Sequence, residues 1–221
     1  MSVFISKKLS DVTFETFLKS KGVELIEQPM ISFCPIPFSL KSEDEYEIIF
    51  FASPRAVNFF LNNVKVKSTI KIATIGKATS KAVVGFGHIV DFEGEKSGNP
   101  QQVAKAFKNY ADTRKVLFPQ STISHRSIQK LLPKEQVINL TVYKTELNPI
   151  KLQDTPSILV FTSPSNVEAF LKMNTLSDQK QKVIAWGETT ARFLEKSGVS
   201  VFKTLQKSSS QELIKVLEEI L

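Results

Sequence analysis

IFFASPRAVNFFLN, residues 49–62, returns as VFTSPSNVEAFLK at residues 160–172. The stretch after it returns as well: IATIGKATSKAV (72–83) reappears as VIAWGETTARF (183–193). Both copies hold Ser-Pro directly after an apolar run, at Ser53-Pro54 and Ser163-Pro164, and Gly-x-x-Thr after the next run, at Gly76 to Thr79 and Gly187 to Thr190. The offset of 110 residues between Ser53 and Ser163 is too long for a solenoid unit. It predicts two similar domains with a site between them, and 221 residues accommodate two domains of about 100.

Around the repeats, short apolar β-branched runs alternate with segments of helical period, the pattern of βαβ units and parallel sheets. Strands are expected at 3–6, 23–26, 47–52, 71–75, 88–92 and 115–118, then at 137–143, 157–162, 182–186 and 199–203. A helix over 11–21 groups Phe14, Phe17 and Leu18 and stops at Gly22, a suitable residue after a C-cap. One over 164–173 starts with Ser163 as N-cap and Pro164 at its first position, and one over 211–221 buries Leu213, Ile214, Leu217 and Ile220. A weaker similarity relates 3–35 to 116–149, each reading strand, helix, strand and an apolar stretch ending in proline. Two topologies fit this order. Sequential domains would divide near residue 113; nested domains would cross at Met30 to Pro37 and return at Leu140 to Pro149, the two crossings pairing as a two-stranded linker.

In an open parallel sheet, ligands bind outside the carboxyl ends of the strands, where loops lead into helix N-termini. The repeated motifs fall there. Each Ser-Pro and each Gly-x-x-Thr ends a strand and starts a helix, so unpaired N–H groups and the positive end of the helix dipole favour phosphate or carboxylate; the alternative is that Ser and Thr only cap helices. Arg55 sharpens the first copy, because a guanidinium beside an N-terminus can hold a carboxylate bidentately.

The net charge of +7 is concentrated between Phe38 and Thr145, with 16 Lys+Arg against 9 Asp+Glu. Such an excess suits a solvated surface or a polyanionic small molecule, and no Lys/Arg-rich block, ribonucleoprotein motif or zinc-finger spacing points to nucleic acid. Dinucleotide, Walker and nucleophile-elbow motifs are absent from the sequence. His88 and His125 lack metal-pair spacing and read as surface residues, and Cys34, a single cysteine that cannot form an internal disulfide, reads as a small buried apolar residue. The N-terminus shows no secretory h-region and no run approaches a membrane span, so a soluble cytoplasmic protein is the expectation. An enzyme of this composition would act mainly by binding and positioning.

Five segments in register, SPRAV (53–57), IGKAT (75–79), VYKT (142–145), FTSPSNVEAF (161–170) and WGETTARFLEKSGV (186–199), resemble uroporphyrinogen-III synthases over nearly the whole chain. The resemblance implies the nested topology: two similar flavodoxin-like α/β domains with parallel sheets, a two-stranded extended linker and a cleft between the domains. Residues 1–35 with 148–221 would form the discontinuous outer domain and 38–145 the inserted one. It implies a cofactor-independent, metal-free lyase, monomeric, without nucleic-acid or membrane partners. Such an enzyme closes linear hydroxymethylbilane to uroporphyrinogen III, with loss of water and inversion of the last pyrrole ring, in haem biosynthesis. Departure of the hydroxyl gives an electrophilic azafulvene, and a spiro intermediate then reopens and closes with the ring reversed; unaided, the substrate closes to isomer I. By the same resemblance Tyr143 assists departure of the hydroxyl, and Ser53, Arg55, Thr79, Ser163, Thr189 and Thr190 contact the polycarboxylate. This sequence has Ser6-Lys7-Lys8 where many relatives have Thr-Arg-Pro, which transfers an arginine contact to Lys7. It has Pro119-Gln120-Ser121 where Pro-Arg-Gly is common, and Trp186 in place of a smaller apolar residue. A two-lobed, non-catalytic binding protein for a polyanionic small molecule is the alternative from another class.

Overall fold

The computed structural model describes all residues except 41–44, 96–98 and 177–180. It divides into two compact units, one of 1–32 with 146–221 and one of 33–145.

The first unit holds one parallel sheet of β1 (Ser2–Ile5), β2 (Glu24–Glu27), β9 (Ile158–Phe161), β10 (Lys182–Ala185) and β11 (Lys203–Thr204), in the order β11-β10-β9-β1-β2. Numbered within the unit, this is the 2-1-3-4-5 order of flavodoxin-like sheets. Strands buried on both faces need no polar alternation. In β9, Ile158 and Val160 point to a core shared with α1 (Val12–Ser20) and α7 (Ser210–Glu218), while Leu159 and Phe161 point to a core shared with α5 (Pro164–Leu171) and α6 (Glu188–Lys196).

The second unit has a six-stranded sheet in the order β3-β8-β7-β4-β5-β6, from β3 (Ile31–Pro35), β4 (Ile48–Phe51), β5 (Lys71–Thr74), β6 (Phe92–Glu93), β7 (Val116–Ser121) and β8 (Val137–Leu147). Five of these strands repeat the first unit's order with its start permuted: β7, β8, β4, β5 and β6 stand where β1, β2, β9, β10 and β11 stand in the first unit. Helices α2 (Pro54–Leu61) and α3 (Lys77–Gly85) cover one face, with Val57, Phe60 and Val83 in the core. On the other face α4 (Pro100–Ala111), capped by Asn99 with Pro100 at its start, buries Val103 and Phe107 beside Ile128 and Leu132. Strand β3 lies beside β8; the bonds Ile36 N–H to Val142 O (3.0 Å) and Asn148 N–H to Met30 O (2.8 Å) rise on one strand as they fall on the other, which makes the pair antiparallel. The boundaries between the units fall inside β3 and β8.

Three expected strands begin too early, for one reason. After α1, α3 and α6 a glycine adopts positive φ (Gly22 63°, Gly87 81°, Gly198 77°). The N–H of the next residue then turns back to a helix carbonyl: Val23 to Leu18 (3.0 Å), His88 to Val83 (3.3 Å) and Val199 to Leu194 (3.0 Å). These residues close Schellman-type ends, so their N–H groups are spent on the helix and the ladder starts later. The expected strands at 88–92 and 199–203 shrink accordingly to Phe92–Glu93 and Lys203–Thr204. The helix expected between β7 and β8 is also absent; two short 3-10 turns, Gln129–Leu131 and Lys134–Gln136, stand there. Pro133 between them lacks an N–H and blocks an α-helix, and the preceding Ser, Thr and His are weak helix formers. Among the described residues, no helix is long and apolar enough to cross a membrane.

Phe107 meets Phe50 at 4.5 Å and Phe92 at 5.3 Å between ring centroids, and is fully buried. Phe107→Ala should therefore destabilise the protein by about 3–5 kcal/mol, read from urea unfolding. A loss below about 1 kcal/mol would show that the ring cluster collapses to fill the space.

Candidate functional site

In the second unit Ser53 links β4 to α2. Its backbone is extended (φ −160°, ψ 152°), and its Oγ accepts the Ala56 N–H at 3.2 Å. Pro54 at the first helical position has no N–H to lose, and the first-turn amides are left at the carboxyl edge of the sheet. Arg55 follows. Its guanidinium lies over the Phe33 ring, 3.7 Å from the centroid, and makes no hydrogen bond or ion pair with a described residue. Phe33 meets Tyr143 edge-on at 6.2 Å, and Tyr143 stacks on Phe59 at 5.0 Å with 13° between planes. Loss of solvent lowers the Arg55 pKa from its ordinary value, and the nearby Tyr143 phenol acts in the opposite direction. The group stays charged. A cation held against an aromatic face with uncommitted donors is suited to an oxyanion.

The first unit carries hydroxyls and an amide at the matching edge. Ser163 caps α5 with the same extended backbone (φ −163°, ψ 157°), its Oγ accepting the Asn166 N–H at 3.3 Å. Beside it the ends of β1 and β9 are tied together: Thr162 N–H donates to Ser6 Oγ at 2.9 Å, and the two hydroxyls lie 3.1 Å apart. Asn166 accepts the Met30 N–H at 3.0 Å and donates to Ser163 Oγ at 2.9 Å. The Lys7 ammonium sits 4.1 Å from the centre of the Trp186 ring, and Trp186 is itself in the core beside β1.

The structure brings Arg55 and Tyr143 together around Phe33, and Ser53 stands two residues before Arg55 as the cap of the same helix. Ser163 and Lys7 follow adjacent strands of the other sheet. The Gly-x-x-Thr threonines stand in the first turns of α3 and α6. Thr79 and Thr190 are 2% and 4% exposed, whereas Thr189 is exposed. The extended Pro119-Gln120-Ser121 segment completes β7, with a bulge between Gln120 and Ser121. Register relates it to the other unit: Val116 pairs with Ile48 as Val3 pairs with Ile158, so Gln120 holds the place of Lys7. Gln120 is 4% exposed; its Oε1 accepts from Gln129 at 3.0 Å and its Nε2 has no partner among the described residues. Cys34, expected to be buried, is half-buried in β3, and His88 and His125 lie in loops. Among the described residues, no group of three or more His, Cys, Asp or Glu side chains could hold a metal ion.

Sequence reasoning missed Phe33, Phe59, Ser6, Thr162 and Asn166. The aromatic pair could not be found locally, because Phe33, Arg55 and Tyr143 meet only after folding. Asn166 did leave a signal: it stands three residues after an N-cap serine, the spacing of a capping box.

The family model described as uroporphyrinogen-III synthase HemD matches residues 12–215. The chain is 24% identical to the porphyrin biosynthesis protein HemD of Ruminiclostridium josui across 96% of its length, and spans about half (47%) of that relative. It is 27% identical to uroporphyrinogen-III synthase of Chlorobaculum parvum, covering 83% of this chain and 84% of that one. The crystal structure of uroporphyrinogen-III synthetase from Helicobacter pylori 26695 has the same fold, with a TM-score of 0.76 at 19% identity over 100% of this chain and 99% of that one.

Replacing Phe33 with Leu keeps an apolar side chain but removes the π face under Arg55, worth about 0.5–1 kcal/mol. The Arg55 Nε–Hε order parameter, measured by 15N relaxation, should fall in Phe33→Leu. An unchanged value would show that the ring does not hold the guanidinium.

Proposed function

This chain belongs to the uroporphyrinogen-III synthase family, and we propose that it cyclises hydroxymethylbilane to uroporphyrinogen III with inversion of the last ring. The observation that carries the reading is the uncommitted, partly desolvated Arg55 beside Tyr143 at a carboxyl edge. The substrate is a polycarboxylate with a hydroxyl that must leave. Arg55 supplies a fixed positive charge for a carboxylate, and the Ser53 edge adds helix-dipole and N–H donors. Tyr143 supplies a donor: its O–H hydrogen-bonds the departing hydroxyl, which takes a proton from solvent and leaves as water while the pyrrole N–H releases its proton to give the azafulvene, a net loss of one water.

Catalysis on this reading is selection of one ring-closure geometry. Free substrate reaches isomer I without help, so binding energy must go into holding the conformer that forms the spiro bond. At the carboxyl edge of the first unit's sheet, Ser163, Thr189 and Lys7 are suited to bind carboxylate. Thr79 and Thr190 support the first turns of α3 and α6, with only a small accessible surface left for contact. The enzyme is further proposed to act as a cytoplasmic monomer without nucleic acid or an organic cofactor; a single cysteine suits a reducing compartment.

Hydroxymethylbilane generated in situ, treated with this protein, oxidised and resolved by chromatography, should give isomer III in excess over isomer I. Isomer I alone would refute the enzyme reading. Tyr143→Phe should lower kcat by about tenfold or more while product affinity changes little; equal losses would mean that the hydroxyl only binds. Activity should fall as salt rises, since exposed charges are screened beyond about 8 Å at physiological ionic strength, and a flat response would count against carboxylate binding by Arg55 and Lys7.

A further inference from the structure

We propose that Asn166 is a positioning residue that fixes the Ser163 hydroxyl as a hydrogen-bond donor toward the ligand. The inference rests on the carboxylate-binding reading above and goes beyond it by assigning the direction of one proton. The starting point is the Met30 N–H, a group that can only donate. It lies 3.0 Å from an Asn166 side-chain atom, and Asn166 is 2% exposed, so that atom must be Oδ1. The opposite atom is then Nδ2, which can only donate, and it lies 2.9 Å from Ser163 Oγ and 3.4 Å from Thr162 Oγ1. Ser163 Oγ also takes the Asn166 backbone N–H at 3.3 Å. A hydroxyl has two lone pairs and one proton. With both lone pairs engaged inside the turn, the proton is directed away from it, and Ser163 donates to no described residue.

The other copy of the motif makes the point by contrast. Among the described residues Ser53 accepts one bond, from the Ala56 N–H, and Ala56 is the residue in the place of Asn166. No described residue fixes the rotor of the Ser53 hydroxyl, and Arg55 provides the charge. Ser165, in the place of Arg55, brings no charge to the first unit's copy. A locked donor takes over the role at that edge. Its chemistry selects an anionic oxygen and disfavours a donor such as a pyrrole N–H. The lock is anchored through Met30, the residue immediately before β3, so the hydroxyl's direction depends on the backbone at that point.

Asn166→Asp is the direct test. Oδ1 still accepts from Met30, and an acidic side chain in the first turn of α5 suits the helix dipole, which offsets part of the cost of burying the charge. The second carboxylate oxygen now accepts where Nδ2 donated, and the Ser163 proton turns inward. Kinetics with hydroxymethylbilane on the parent, N166D, S163A and the double variant form a cycle. Either single change should raise KM by about tenfold with kcat little altered, and the double variant should be little worse than S163A. Any repulsion from the new charge persists in the S163A background and is thereby separated. Independent effects, multiplying to about a hundredfold, would overturn the proposal, as would a parent-like N166D. Should N166D lose its cooperative thermal transition, the same cycle with Asn166→Ala decides: non-additivity with S163A supports the lock and additivity refutes it. A parent enzyme that yields only isomer I refutes the functional reading instead, whereas a parent that yields isomer III with an additive cycle refutes only this inference.

Discussion

Both carboxyl edges depend on one turn, in which an extended serine after a buried strand caps a helix that begins with proline. The serine Oγ takes an N–H at 3.2 Å in one unit and 3.3 Å in the other, and proline fixes φ where no N–H is needed. The cap alone is worth about 1 kcal/mol, a small share of the stability of either unit. Its larger consequence is positional. Because the strand is buried on both faces, the helix must start close to the sheet, and the residues after serine are held at the edge where a parallel sheet presents its helix N-termini.

From that shared turn the two units diverge in what they offer a ligand. The second unit sets a cation on an aromatic face beside a phenol. The first ties Ser6 to Thr162 across neighbouring strands and engages both lone pairs of Ser163. The strand orders explain how one chain builds both from the same parts. The second unit begins at the third strand of the pattern and ends with its first and second, so β3 and β8 carry the unit boundaries. Arg55 and Tyr143, separated along the chain, become neighbours because β8 returns to the sheet that β4 opened.

What was readable in the sequence was local or repeated. Ser53-Pro54 and Ser163-Pro164 announce their helices through cap and proline chemistry that acts within four residues, and the repeat made the correspondence between the units visible. Strand starts were misread at Val23, His88 and Val199 because an apolar or aromatic residue after glycine looks like a strand opening, whereas its N–H closes the preceding helix. The Gly-x-x-Thr threonines were read as ligand contacts from their place at a strand end. Helical phase leaves Thr79 and Thr190 largely buried, since the third residue of the first turn points inward, and a strand-end pattern does not reveal that. The Arg55, Phe33 and Tyr143 arrangement was out of reach, because no local pattern signals which aromatic residue will underlie an arginine from another element.

The central claim is the proposal that the Ser53 to Arg55 edge of the second unit holds a carboxylate of the ligand. It is tested most directly by following backbone amide shifts while the protein is titrated with uroporphyrinogen III under anaerobic conditions. Amides of Arg55 and Ala56 should shift and saturate as ligand is added. Shifts absent from Arg55 and Ala56, or found instead around Lys182 and Phe202 at the amino end of the first unit's sheet, would contradict it.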